Sequence, residues 1–186
     1  MKKNMDSTKP GGNSQNKLVK ECIFSALMQL MECRQYGEIT ITDITQKAGV
    51  SRISYYRNYS SKEDIIKDYI DEMHKQLIKD LQENVPYDAY KYLYKFFEKS
   101  RSNMQLILNL VRSNMSYIYL DRSKHFLQIA FDGVLRNRRS APNTLVRKFE
   151  INFLVGGVYE VLIQWFNNGM IETSEQMASV LLILFQ

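Results

Sequence analysis

The sequence contains few of the residues that build disulfide scaffolds, metal sites or β-rich folds. Its 186 residues include only two Cys, two His, three Pro and eight Gly. Turn residues are therefore too sparse for a sandwich or barrel, whereas the helix-favouring residues Leu, Ile, Met, Lys and Glu are frequent. We expect an all-α protein whose chain is long enough to bury a core without cross-links.

The two Cys and the two His are each too far apart in sequence to act together. Cys22 and Cys33 lie on one predicted helix, about three turns or roughly 16 Å apart, so they cannot form a disulfide with each other. His74 and His125 are isolated, and the sequence has no CxxC motif. We expect reduced thiols, no metal site and no cofactor.

No apolar run in the sequence has the length of a membrane span. The most apolar stretch, residues 151–166, is interrupted by Asn152, Glu160 and Gln164 and falls short of the ~20 residues that a span needs. Residues 1–15 are polar and basic and lack the apolar centre of a signal peptide, so we expect a disordered arm there. These features favour a cytoplasmic protein with no membrane partner.

The net charge of +5 comes entirely from the first third of the chain. Residues 1–62 carry ten Lys and Arg against five Asp and Glu, whereas residues 63–186 carry fifteen of each kind. A basic segment next to a neutral one is typical of a polyanion-binding domain joined to a domain with another task.

Apolar residues recur at helical spacing along most of the chain. The first predicted helix covers about residues 15–35 and ends at Gly37. Capping residues and helix breakers then predict eight further helices. We place these at about residues 41–48, 52–58, 62–83, 87–100, 103–113, 117–137, 143–168 and 174–186.

Residues 40–59 carry the local signals of a helix-turn-helix. Thr40 and Asp43 are spaced as a capping box at the start of the first helix. Gly49 can adopt the left-handed backbone conformation that ends this helix, and Ser51 can cap the next one. The two short helices are therefore expected to be joined by a tight turn.

The second short helix has an outer face suited to the major groove of DNA. Tyr55 and Tyr59 are four residues apart and should both face inward. On the outer face, Arg52 can hydrogen-bond guanine edges and Ile53 can pack against a thymine methyl group, while Asn58 can reach an adenine edge or a phosphate. The DNA-binding residues predicted here are Ser51, Arg52, Ile53, Ser54, Tyr56, Asn58 and Lys62.

Four segments of this region resemble the DNA-binding signature of the TetR family of bacterial transcriptional regulators. They are residues 40–44 (TITDI), 48–51 (AGVS), 54–56 (SYY) and 59–63 (YSSKE). The resemblance implies a three-helix DNA-binding head on a ligand-sensing, dimerising helical body. It also implies phosphate contacts at Thr42, Tyr56 and Lys62. Thr45 stands where the family usually has a small apolar residue, so we expect looser packing there. The domains are then expected at residues 16–62 and 63–186.

The last two predicted helices are apolar on more than one side. Most of residues 153–166 are apolar, so this helix needs a cover beyond a single core. Gly156 and Gly157 each cost about 1 kcal/mol relative to Ala in a helix, which close approach of another helix would explain. The pair resembles the family's four-helix dimer interface, and a monomeric core is the alternative. The predicted interface residues are Phe153, Gly156, Gly157, Tyr159, Val161, Trp165, Leu181 and Leu184.

Residues 87–137 are rich in aromatic and Met side chains. We expect a small apolar or aromatic ligand to bind between their helices and to bias the spacing of two DNA-binding heads. An aromatic stripe at helical spacing is more often plain core, so core packing is the alternative. The candidate ligand-binding residues are Tyr90, Tyr94, Phe97, Met104, Tyr117 and Phe126.

The sequence thus predicts a homodimeric transcriptional regulator, by expectation a repressor, that binds a palindromic DNA operator. A helical enzyme is disfavoured because no HExxH, GxSxG or phosphate-cradling Gly loop is present, and no catalytic residue is predicted. Two alternatives stay open. One is a protein-interaction module that does not bind DNA, and the other is an activator controlled by a protein co-regulator. The run from Gly156 through Trp165, Gly169 and Glu175 is similar to a subgroup that includes activators of dihydroxyacetone kinase genes.

Overall fold

The computed structural model describes residues 11–82, 88–136 and 144–184, and these ranges contain helices and turns but no strand. This confirms the all-α prediction. The helices are α1 (Gly11–Cys33), a short 3-10 turn (Tyr36–Glu38), α2 (Ile41–Ala48), α3 (Arg52–Asn58), α4 (Lys62–Gln82), α5 (Ala89–Ser102), α6 (Met104–Arg112), α7 (Ser116–Arg136), α8 (Thr144–Asn167) and α9 (Ser174–Leu184).

The first helix differs from its predicted position. It begins at Gly11, so residues 11–15, which we expected to belong to a disordered arm, are helical. Residues 1–10 of that arm lie outside the described part of the chain. The weak helix signal of Gly11 and Gly12 is the reason the sequence placed the start too late, since Gly disfavours a helix interior.

The chain divides into two compact units, Met1–Ile66 and Lys67–Gln186, which we call the head and the body. In the head, α1, α2 and α3 pack on one another. Their shared core is built from fully buried side chains, a burial that stabilises a small unit by roughly 1.5–3 kcal/mol per large apolar side chain. These core residues include Ile23, Leu27, Ile39, Ile44 and Tyr55.

The body is held by helix pairs around an aromatic core. Helix α5 packs on α9 and α7 packs on α8. Phe97 meets Trp165 edge to face with ring centroids 5.2 Å apart, and Phe96 stacks on Phe126 at 5.3 Å. Edge-to-face and offset stacks of this kind stabilise cores beyond the area they bury. Phe97 and Phe126, two of the predicted ligand-binding residues, are thus buried in this core.

Trp165 and Leu181 also belong to this core and not to an outer face. Their side chains are 2% and 0% exposed within a single chain. These two predicted interface residues thus pack inside a single chain, where almost no side-chain surface is left for a second copy to contact. The apolar pattern of α8 and α9 is nearly all-round, and for that reason it did not reveal which residues face the chain's own core.

The turn between α8 and α9 is fixed by side chains of other elements. Gly169 and Met170 adopt left-handed backbone conformations, with φ of 73° and 56°. Arg101 of α5 donates from Nη2 to the carbonyl oxygen of Met170 at 2.5 Å and to that of Glu172. The indole nitrogen of Trp165 donates to the same Glu172 carbonyl at 3.1 Å. These hydrogen bonds compensate the strain of a non-glycine residue at positive φ.

Across the described ranges, no helix combines the length and the apolar character that crossing a bilayer requires.

Candidate nucleic-acid interface

Helix α2 begins with the predicted capping box. The backbone nitrogen of Asp43 donates to Thr40 Oγ1 at 3.1 Å, and the backbone nitrogen of Thr40 donates to Asp43 Oδ2 at 2.8 Å. The Thr40 hydroxyl, which donates to Asp43 Oδ2 at 2.7 Å, and the Thr40 backbone nitrogen, together with Arg34 at 3.3 Å, hold the pKa of Asp43 down at about 2. The start of α2 is therefore fixed by a carboxylate that stays ionised at neutral pH.

The turn between α2 and α3 has the predicted backbone geometry. Gly49 has a φ of 65°. This left-handed conformation strains a residue that has a Cβ atom, whereas Gly adopts it readily. The backbone nitrogen of Val50 then donates to the carbonyl oxygen of Thr45 at 3.0 Å. Ser51 caps α3, because its Oγ accepts from the backbone nitrogen of Ser54 at 3.0 Å. The two short helices are thus connected by a well hydrogen-bonded turn.

Thr45, the departure from the family signature, is accommodated by its own helix. Its side chain is buried, and Oγ1 donates to the carbonyl oxygen of Thr42 at 3.1 Å. A buried hydroxyl is costly only without a partner, and this one has a partner one turn away. The expected loosening of α2 has no support in these contacts.

The outer face of α3 presents the side chains that were predicted to contact bases. Tyr55 and Tyr59 are buried, whereas Ile53 is 74% exposed and Tyr56 is 51% exposed. Arg52 is exposed too, and its guanidinium carbon lies 6.0 Å from the centroid of the Tyr56 ring. This cation–π contact orients a charged donor beside an aromatic hydroxyl. Among the described residues, Ile53 is therefore an apolar side chain left mostly open to solvent.

The smaller polar residues of this face are partly exposed. Thr42 and Ser51 are exposed, and Ser54 is half-buried with its Oγ 3.0 Å from that of Ser51. Asn58 differs from its predicted outward position. It is half-buried, and its Nδ2 donates to the carbonyl oxygen of Ser54 at 2.9 Å. One of its two amide hydrogens is therefore used within α3.

Lys62 departs most clearly from the predicted arrangement. Its Nζ donates to the backbone carbonyl oxygens of Tyr36 at 2.7 Å and Ile39 at 2.5 Å, and it lies 4.4 Å from the Tyr36 ring centroid. Burial lowers the pKa of Lys62. Two of the three ammonium donors thus tie α4 to the linker between α1 and α2, which leaves one donor for a phosphate. The spacing of side chains in the sequence could not predict these hydrogen bonds of Lys62, because their acceptors are backbone carbonyl oxygens.

The start of α4 is also closed by its own side chains. The backbone nitrogens of Ser60 and Ser61 donate to Asp64 Oδ2 at 3.0 and 2.8 Å, and the backbone nitrogen of Asp64 donates to Ser61 Oγ at 3.2 Å. A carboxylate therefore already occupies the N-terminus of α4, a position at which helices also bind phosphates.

Two exposed basic residues on the head were missed by the sequence analysis. Lys47 lies in the last turn of α2 and Arg57 in the last turn of α3, and both are exposed. They add positive charge to the exposed surface of the head, of a kind that favours polyanions.

The remaining predicted interface residues of α8 and α9 divide by exposure. Phe153 is 79% exposed, Leu184 is exposed, and Tyr159 and Val161 are half-buried. Gly156 and Gly157 are exposed as well, and among the described residues no atom lies within 4 Å of where a Cβ would stand at either Gly. Phe153 continues a row of exposed apolar side chains at spacings of four residues, Leu145 and Phe149.

The predicted ligand-binding residues that lie outside the buried core differ in exposure and contacts. Tyr90 and Tyr94 are half-buried and stack with centroids 6.3 Å apart, and Tyr94 Oη donates to Glu98 at 3.2 Å. Met104 is half-buried and Tyr117 is more than half exposed. A groove of about 440 Å³ lined by α4 and α5 contains none of the six.

Comparison with known families gives two matches that together cover most of the chain. Residues 23–69 match the family described as bacterial regulatory proteins of the tetR family. Residues 87–186 match a family described as a transcriptional regulator C-terminal region. The first match contains α2 and α3 with their turn, and the second contains the helices from α5 onward.

A curated relative and two solved structures are similar to the chain. An uncharacterised HTH-type transcriptional regulator of Bacillus subtilis, YxbF, is 27% identical over 149 residues, or 76% of this chain. The chain spans only 38% of the length of that relative. A TetR transcriptional regulator from Streptococcus agalactiae superposes with a TM-score of 0.69 at 24% identity, covering 94% of this chain and 97% of that structure. The dihydroxyacetone kinase operon activator DhaS superposes with a TM-score of 0.67 at 16% identity, covering 90% of this chain and 93% of DhaS.

Proposed function

The chain belongs to the TetR family of bacterial transcriptional regulators, and from this membership we propose that it represses transcription by binding a palindromic operator as a homodimer. The observation that carries the proposal is the outer face of α3, where Arg52, Ile53 and Tyr56 are exposed on a helix capped at its start. Family membership makes the chain a DNA-binding regulator and not an enzyme.

Each exposed side chain has a proposed partner on DNA. Arg52 donates to guanine edges, and Ile53 packs on a thymine methyl group. Thr42 and Tyr56 contact phosphates, and Lys62 adds its remaining donor. Ser51, Ser54 and the amide oxygen of Asn58 complete the proposed contact surface. Base contacts at Arg52 and Ile53 would set the sequence preference, since phosphate contacts carry little sequence information.

A second copy is proposed to pack on the exposed apolar row of α8 and the end of α9. The large apolar side chains of Phe153 and Leu184 are exposed, and their exposure to water costs a monomer free energy. Among the described residues, nothing outside their own helix lies within 4 Å of a Cβ at Gly156 or Gly157, which leaves room for close approach of a second copy. A two-fold dimer presents two α3 helices to successive major grooves, about 34 Å apart or a multiple of that.

Release of the operator is proposed to follow binding of a small apolar effector by the body. An effector acts only if it binds one spacing of the two heads more tightly than the other. Thermal-shift screening of apolar compounds tests this part. If no compound both raises the melting temperature and changes the affinity for DNA, a protein co-regulator replaces the small effector.

Activation in place of repression is the second candidate. The structural likeness to DhaS favours it, because that protein is an operon activator. Transcription measured from the operator with and without the protein separates the two, since a repressor lowers the transcript level and an activator raises it.

Selection of bound sequences from random duplex DNA tests the proposal as a whole. We expect a palindromic consensus and an affinity that falls steeply with salt. Arg52→Ala should change the preferred bases, with a loss of about 1–3 kcal/mol at the contacted position. Arg112→Ala, which removes an exposed Arg of α6 in the body, is the matched control and should leave the consensus intact. A protein that binds no duplex at low salt would be an interaction module instead.

A further inference from the structure

The ring of Tyr56 is held by the core of the head, although about half of its side chain is exposed. It meets the ring of Tyr55 edge to face, with centroids 5.3 Å apart and planes at 84°. Tyr55 is fully buried and packs edge to face with Tyr59 at 6.0 Å. Such pairs are attractive because the positive edge of one ring meets the negative face of the other. Tyr56 therefore presents a fixed aromatic surface on the outside of α3.

The side chain of Arg52 uses this surface. Arg52 lies one helical turn before Tyr56, so the two side chains share one face of α3. Its guanidinium carbon lies over the Tyr56 ring, 6.0 Å from the centroid. Within the described ranges no carboxylate lies at ion-pair distance from this guanidinium. The Tyr56 ring is thus the contact of the head that restricts where the guanidinium lies.

A guanidinium can keep such a contact while it binds a base. Its flat faces stack on aromatic rings, whereas its N–H groups point outward in the plane and form paired hydrogen bonds. Guanine offers two acceptors, N7 and O6, on its major-groove edge, and these match such a pair of donors. A side chain that is already restricted also loses less conformational freedom when it binds. The ring and the base therefore do not compete for Arg52.

We propose that Tyr56 is a positioning residue for Arg52, and that its ring orients the guanidinium towards guanine and so sharpens the base preference. This role rests on the proposed function, in which Arg52 contacts a base and the Tyr56 hydroxyl contacts a phosphate. The ring then acts on sequence preference, whereas the hydroxyl acts on affinity for all sequences alike. Tyr56→Phe removes the hydroxyl alone, and Tyr56→Leu removes the ring as well.

The two variants are compared on the selected operator and on a duplex altered at one base pair of each half-site. The altered pair is the one whose preference Arg52→Ala removes. We expect Tyr56→Leu to lower discrimination at this pair about two- to fivefold per half-site, as for loss of an exposed cation–π contact. Tyr56→Phe should weaken binding to both duplexes equally and keep the discrimination of the wild type. Unchanged discrimination in Tyr56→Leu, or an equal loss in Tyr56→Phe, overturns the proposal.

A second altered base pair separates positioning of Arg52 from general support of α3. This pair is the one whose preference Ile53→Ala removes. Because the ring acts through the guanidinium, Tyr56→Leu should leave discrimination at the second pair as in the wild type. A loss of the same size at both pairs would mean that Tyr56 only supports the helix, and it overturns the positioning role.

The contact itself is measured without DNA, on the full chain labelled with ¹³C at arginine. The δ-methylene signal of Arg52 is assigned from an Arg52→Lys variant. It should move in Tyr56→Leu and stay in place in Tyr56→Phe, because an aromatic ring shifts the signals of protons above its face. The exposed Arg112 of α6 is the internal control, and its signal should stay in place in both variants. An Arg52 signal that does not move in Tyr56→Leu overturns the proposal.

Failure of the positioning role and failure of the proposed function give different results. A protein that binds its operator selectively, with the same discrimination in every Tyr56 variant, loses the positioning role and keeps the proposed function. A protein that binds no duplex overturns both, even where the Arg52 signal moves as expected.

Discussion

Among single residues, polar groups that sequence spacing placed on the DNA face are partly engaged within the head. Lys62 holds two carbonyl oxygens of the α1–α2 linker, and Asn58 donates back into its own helix. The local signals were predictable, because Thr40, Asp43 and Gly49 act on backbone atoms within a few residues. The partners of Lys62 lie more than twenty residues away in sequence. No periodicity of side chains encodes such a contact.

Replacing Lys62 by Met should therefore destabilise the head as well as weaken DNA binding. The substitution keeps the aliphatic stem and removes two charge-assisted hydrogen bonds, which we expect to cost about 1–2 kcal/mol at a half-buried site. Urea unfolding followed by circular dichroism measures the loss. Lys47→Met, at an exposed position of α2, is the control and should change stability little. Unchanged stability with lost DNA affinity would instead assign Lys62 to phosphate contact alone.

Because of His74, the stability of the body should fall at mildly acidic pH. Burial lowers the pKa of His74 to about 4 from its ordinary 6.5, so the folded body keeps neutral a ring that the unfolded chain protonates. This stability is complete above pH 6.5 and is lost as the pH falls towards 4, by up to about 3 kcal/mol. His74→Phe should remove the loss, and the exposed His125→Gln should retain it. Parallel pH profiles of the two variants would show that His74 is not the cause.

Among the elements, helix positions followed from the sequence more reliably than the direction that each helix faces. From α2 to α8, capping residues and breaks placed the ends within about two residues of where they lie. The end predicted for α9 falls outside the described residues. The sequence could not show which side of α8 packs on the core, because apolar residues lie all round the helix axis. Trp165 was therefore predicted, like Phe153, to contact a second copy of the chain, although of these two side chains only Phe153 is exposed.

The position of α9 should depend on Arg101. Its guanidinium bonds the Met170 and Glu172 carbonyls and lies 5.6 Å from the Trp165 ring, so it fixes the turn that leads into α9. We expect Arg101→Met to cost about 1–3 kcal/mol and to speed amide hydrogen exchange in α9 first. Arg112→Met, at an exposed position of α6, is the control. Unaltered exchange in α9 would mean that packing on α5 alone holds this helix.

For the molecule as a whole, the proposed activity requires two copies. A single α3 contacts one half-site, and the affinity gained by binding both half-sites at once far exceeds that of either. The exposed row on α8 is the surface proposed for pairing, whereas the buried core residues of the same helix hold the body together. Self-association and stability should thus be separable by substitution.

Phe153→Asp should give a folded monomer. The side chain is almost free of its own chain, so the melting temperature of the dilute protein should change little, while a buried charge would oppose pairing. Sedimentation should show one subunit, and binding to the palindromic operator should weaken by at least a hundredfold. Tyr117→Asp alters another exposed aromatic residue of the body and should preserve the dimer. A Phe153→Asp protein that still sediments as a dimer would place the interface elsewhere.

Trp165 is the chain's single tryptophan, and it is shielded from water beside a guanidinium in the body. Its emission spectrum consequently monitors one of the two compact units and is blind to the other. Loss of helical ellipticity before any red shift of that emission would mean that the DNA-contacting part melts first. The wild-type sequence thus carries a built-in optical probe that needs no added dye.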